Sequence, residues 1–153
     1  MNLSAVQPFS GFEGDDEEDE GLCRELFGRS EKYLASFKWC GQILERYIGI
    51  CVGGIVAVLL FKIQPLRADE WVWTVIGDLP PAYISVDGNE TPSRALHAYI
   101  DELRKWVSAA KGAQDVSGLI PVNIEPTPAN AERLERRLNY LEHEILPDYE
   151  EES

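Results

Sequence analysis

Apolar positions change their period several times along the chain, and each change marks an element. From Ser30, a fitting N-cap, Tyr33, Leu34, Phe37, Cys40, Ile43, Leu44 and Tyr47 recur at helical spacing, with Glu31, Lys32, Lys38, Gln42, Glu45 and Arg46 mostly opposite. This predicts an amphipathic helix over 30–47, extended backwards by a short turn around 22–27 and stopped by Gly49. Residues 55–63 are apolar on both alternating faces, which a strand tolerates only when both faces are covered. Gly53 and Gly54 before it predict a two-residue hairpin to an added strand over 47–52. Residues 64–70 read as a loop. In 71–77, Trp71, Trp73 and Val75 share one face, with Val72, Thr74 and Ile76 on the other. Pro80 and Pro81 break that run, since neither donates to a ladder. A short strand over 82–86 then ends at Asp87-Gly88-Asn89.

Two helices follow, each opened by a threonine cap before a proline at the first helical position, Thr91-Pro92 and Thr127-Pro128. The first buries a stripe of Leu96, Tyr99, Ile100, Leu103, Trp106, Val107 and Ala110 and stops at Gly112. The second buries Leu134, Leu138, Leu141 and Ile145 and ends at Pro147. The link over 113–126 contains an extended piece at 119–124. The order predicts an α+β fold: a small, mainly antiparallel sheet of three to four strands, with an N-terminal helix and two C-terminal helices packed on it.

Charge divides the 153 residues into three parts. The net charge is −13, and eleven of the 27 acids lie at the ends: Glu13, Asp15, Asp16, Glu17, Glu18, Asp19 and Glu20, then Asp148, Glu150, Glu151 and Glu152. Between 21 and 147 there remain 16 acids against 14 bases, a net of −2. The expected organisation is therefore a disordered acidic tail over 1–20, a single domain over 21–147, and an acidic tail over 148–153. No basic surface is implied, so nucleic acid is excluded as a partner. The uncharged run 47–61 falls short of the roughly 20 apolar residues that a spanning helix needs, so no membrane role is expected. Residues 1–10 carry no Lys or Arg and do not read as a secretory leader. Three cysteines without CxxC spacing (Cys23, Cys40, Cys51) argue against a disulfide framework or a zinc knuckle, and favour a cytoplasmic location.

Candidate chemistry is sparse. The sequence has no GxSxG, GxxxxGK[ST], GxGxxG or HExxH, so no catalytic residue, metal ligand or cofactor is assigned. His97 and Asp101 share a helix face, an arrangement that serves catalysis only with a nucleophile beside it. His143, between Glu142 and Glu144, reads as part of a solvated face. The acidic run of Asp15, Asp16, Glu17, Glu18, Asp19 and Glu20 fits a basic groove on a protein partner, with Trp71 and Trp73 as apolar contacts. The leading expectation is a non-enzymatic protein-binding module, an acidic inhibitor or immunity-type protein against a basic partner. A second is a small-molecule-binding protein or enzyme with a pocket near Trp71, Trp73, Asp78 and Tyr83. A third is a homo-oligomer joined along the Trp strand.

Several blocks carry a further likeness: 39–41 (Trp-Cys-Gly), 52–58, 73–83 with its Gly-Asp-Leu-Pro-Pro-Ala-Tyr core, Pro121-Val122-Asn123, and 141–147. In these the chain resembles a family of small bacterial proteins to which no activity, cofactor or catalytic residue is assigned. The resemblance spans about two thirds of the chain. It implies a bacterial, cytosolic, single-domain protein and transfers no site residue.

Overall fold

The computed structural model describes residues 3–65 and 69–150. It is an α+β fold built on one antiparallel sheet of five strands in sequence order. The strands are β1 (Gln7–Pro8), β2 (Gln42–Val52), β3 (Val56–Gln64), β4 (Glu70–Gly77) and β5 (Leu79–Ser85). Helix α1 (Glu17–Ala35) covers one face. Helices α2 (Pro92–Lys111) and α3 (Pro128–Tyr140) close the other, followed by a π-helical turn (Leu141–Ile145) and the short α4 (Leu146–Tyr149). The sheet thus has one strand more than the largest number expected.

Strand β3 lies at the centre, and its run is apolar throughout because both faces are covered. Val56, Val58 and Leu60 point to α2, while Ala57, Leu59, Phe61 and Ile63 point to α1. Strand β4 alternates as predicted, with Trp73 and Val75 towards α2 and Val72 and Ile76 towards α1. The two proline-opened helices form with their predicted caps, Thr91 accepting from the Arg94 N–H and Thr127 from the Asn130 N–H.

The first helix is the main departure. It runs over Glu17–Ala35 rather than 30–47, and Gln42–Val52 is a strand. Two register shifts in the β2–β3 pairing explain the misleading period. They place Ile43, Arg46, Ile48 and Cys51 on the α1 face, so the intervals are three, two and three rather than a steady two. A doubly bulged strand imitates a helix in this way. Ser30 is no cap. It is fully buried in mid-helix, where its hydroxyl meets the Thr74 hydroxyl at 2.5 Å.

The β2–β3 turn also differs. Val52 pairs with Val56, which leaves a three-residue loop with Gly54 at φ +77°. Strand β5 begins at Leu79 and includes both prolines, because it is the outer strand and one side of its backbone needs no partner. In the N-terminal segment expected as a tail, Gln7 and Pro8 pair with Ile48 and Tyr47, Phe12 is buried against Phe27, and α1 starts at Glu17.

Cys23 and Cys51 form a disulfide between α1 and β2, against the expectation of unpaired thiols, and Cys40 is buried and free. Spacing gave no hint of this pair, since its members are 28 residues apart and meet only when α1 docks on the sheet. Such a bond is atypical of a reducing cytoplasm, which counts against the expected compartment. Among the described residues, no helix is long and apolar enough to cross a membrane.

Candidate functional site

The acidic run is partly absorbed in starting α1. Asp16 is extended and its carboxylate accepts the Asp19 N–H at 2.7 Å, while Asp19 accepts the Asp15 N–H at 3.1 Å. Glu17, Glu18, Asp19 and Glu20 fill the first turn, where negative charge is favoured by the helix dipole. Glu20 also pairs with Arg24 at 3.4 Å. Asp15, Asp16, Glu17 and Glu18 remain exposed.

The far end of the chain returns to the same place. The Tyr149 phenol is pushed up first by its burial, then by Asp148, Asp15 and Asp19. Acids from the two ends, more than a hundred residues apart in sequence, thus act on one phenol. Among the described residues, Arg24–Glu20 is the one salt bridge made by Asp15–Glu20 or Asp148, while Glu150 lies at the groove that holds His97.

The tryptophans are placed differently from expectation. Trp73 is wholly buried in the α2-side core and its indole N–H donates to the Asn89 carbonyl at 2.7 Å. It offers nothing to a partner, because the sheet and α2 surround it. Trp71 is half-buried under a polar net: Tyr47 lies 5.9 Å away between ring centroids, and Lys62 sits 5.8 Å above the indole. Lys62 in turn pairs with Glu45 at 3.3 Å and Asp69 at 3.7 Å. Glu45 accepts from the Tyr47 hydroxyl, and this bond, ahead of Lys62, holds its carboxyl below the usual range. Strand β4 is also an inner strand, so the Trp strand has no free edge for a self-interface.

The second expected pocket is likewise dispersed. Asp78 sits in a cleft of about 290 Å³ with Ile55, Leu79 and Tyr140, and pairs with Arg137 at 3.4 Å. Tyr83 belongs to a different and larger groove. Trp71 and Trp73 line neither.

Among the described residues no free, exposed cysteine accompanies the histidines, although Thr91 and Ser93 line the same groove as His97. His97 Nδ1 lies 3.3 Å from Asp101 with both side chains more than half exposed, in an open polar groove at the start of α2. The three sulfurs are in the disulfide or buried, and burial raises the Cys40 thiol, which makes it a poor thiolate. His143 is exposed beside Glu142. Among the described residues no group of three side chains has the arrangement of a metal site.

The feature that the sequence did not announce is aromatic. Where α1 ends, Phe37 stacks on Trp39 at 5.2 Å and meets Tyr83 edge-on at 5.2 Å, and Tyr33 meets Phe37 edge-on at 5.1 Å. Trp39 and Tyr83 are 38% and 44% exposed, large for indole and phenol rings in contact with one another. Beside this ledge runs a groove of about 690 Å³ along β5, bounded on its far side by the segment 116–126. Helical spacing had assigned Tyr33 and Phe37 to a buried stripe. Trp39 stood out only as part of the resemblance.

Comparison with protein-family models, with curated proteins and with solved structures finds no match for this chain.

Proposed function

We propose that this chain is a non-enzymatic protein-binding module that recognises a basic partner through the joined acidic surface of its two ends, as an inhibitor or immunity-type protein would. The observation that carries this reading is the exposed cluster of Asp15, Asp16, Glu17 and Glu18 at the start of α1, and the raised Tyr149 phenol, on which Asp148, Asp15 and Asp19 all act, supports a contribution from the other end. Like charges held together repel, and Asp15, Asp16, Glu17 and Glu18 make no salt bridge among the described residues. A complementary surface removes that repulsion on binding and steers the encounter. The exposure of the His97–Asp101 pair and the burial of Cys40 favour binding over catalysis. The Cys23–Cys51 bond favours an oxidising compartment as the place of encounter.

The test uses the full-length chain, because cutting at residue 21 would remove the first turn of α1 and its Asp16 cap. Wild type and a D15N/E17Q/E18Q/D148N variant are immobilised and exposed to lysate of the source cells. The expected result is one stoichiometric basic protein retained by wild type and lost from the variant. Retention of the same protein by both forms, or of none by wild type, overturns the reading.

A further inference from the structure

We infer that the groove along β5 is a binding site for a small, flat, uncharged apolar molecule, separate from the acidic surface. Its volume of about 690 Å³ lies within the range of about 300–1,000 Å³ usual for small-molecule sites. One wall is aromatic: Tyr33 and Phe37 from the end of α1, Tyr83 from β5, and Trp106 from α2. The other is the apolar segment Leu119, Ile120, Pro121 and Val122.

Three properties argue for a ligand rather than incomplete packing. First, the lining contains no ionised side chain, although the chain carries a net −13, so the groove is electrically suited to a neutral guest. Tyr33 keeps to this pattern: burial first, then Tyr83, pushes its phenol up to about 12, so it stays protonated at neutral pH. Second, the aromatic wall is set before any guest arrives. The contacts of Phe37 with Tyr33, Trp39 and Tyr83 fix its rings against each other, which limits the side-chain entropy lost on binding. Third, the segment over 113–126 runs beside β5 without a backbone hydrogen bond to it among the described residues. It bounds a gap rather than extending the sheet, and long connections of this kind are commonly functional.

The probe is N-phenyl-1-naphthylamine, a neutral aromatic fluorophore, compared with 1-anilinonaphthalene-8-sulfonate, which has the same ring framework and a permanent negative charge. The expected result is saturable, one-to-one enhancement of the neutral dye, with the sulfonate bound about tenfold more weakly or less. Tyr83→Ala removes a half-exposed ring, and Val122→Asp puts an unpaired charge into the opposite wall. Each is expected to weaken the neutral dye about tenfold while thermal unfolding and circular dichroism stay near wild type. Tyr140→Ala, which removes an exposed ring on the separate Asp78 cleft, is expected to change nothing. No saturable binding, equal affinity for both dyes, undiminished binding by both groove variants, or an equal loss in Tyr140→Ala overturns the inference.

Discussion

The two faces of the sheet are held by different means. On the α2 side, two capped helices bury one continuous core that includes Trp73, Tyr99 and Trp106, and ion pairs such as Arg104–Glu142 at 3.0 Å lie at its margin. On the α1 side a single helix covers β2, β3 and β4, while Tyr83 of β5 remains outside its cover. There the apolar cluster is smaller, and α1 is also fastened by specific bonds. These are the Cys23–Cys51 disulfide, the Ser30–Thr74 hydroxyl pair, Arg29 donating to the Gly77 carbonyl at 3.1 Å, and Arg46 paired with Glu31 at 2.5 Å. Area secures one face, and individual links assist the other. The difference also locates the aromatic groove, which opens where the single helix runs out.

The largest effect is expected on the area-secured face. Trp73→Ala leaves a cavity and orphans the Asn89 carbonyl, and should lower unfolding free energy by about 3–5 kcal/mol in urea titrations. A loss below 1 kcal/mol would break the comparison, since this core would then not carry its side. Next comes the covalent link. Removing it by C23A/C51A should cost about 3–4 kcal/mol from the loop it closes. Hydrogen exchange should then accelerate in α1 before α2 and α3, and uniform acceleration would deny α1 its separate fastening.

A smaller effect sharpens the picture of α1. Thr74→Val leaves the fully buried Ser30 hydroxyl unpaired and should cost about 1–2 kcal/mol. The double variant S30A/T74V should be less destabilised than the sum of the two single changes, as read by a double-mutant cycle. The smallest effect concerns the bond between α2 and the outer strand β5. Tyr99 donates to the Pro80 carbonyl at 2.6 Å, and burial first, then Tyr33, raises its phenol well above the ordinary value. A raised folded-state value favours the neutral phenol in the fold. That stability is complete below the unfolded value near pH 10 and is lost as pH rises above it. Urea midpoints should therefore fall from about pH 10 upward in wild type and less steeply in Tyr99→Phe, which at neutral pH loses about 1 kcal/mol.

The same contrast explains how much was legible in the sequence. Strands β3 and β4 and helices α2 and α3 follow plain periods and proline-marked starts, so the α2 side was readable except at its end, where α3 stops at Tyr140 and Pro147 lies inside α4 instead of ending the helix. On the α1 side the rules interfere. Two bulges gave β2 a helical rhythm, Ser30 has the type of a cap but the place of a core residue, and the acids of 15–20 registered as charge rather than as the first turn of a helix. The Cys23–Cys51 pair depends on that docking and could not be found before it. Of the candidate sites, the acidic residues were visible because charge clusters along the chain. Their meeting with the other end was not. The groove was hidden for a related reason: its walls come from four separated stretches around Tyr33, Tyr83, Trp106 and Leu119.

The most direct test of the binding account is the association rate with the captured partner as ionic strength rises from about 0.02 to 0.3 M, a range that shortens the screening length several-fold. Recognition through the joined acidic ends predicts a rate constant that falls about tenfold or more while the dissociation rate changes little. A rate constant indifferent to salt, and equal for wild type and the D15N/E17Q/E18Q/D148N variant, would contradict it.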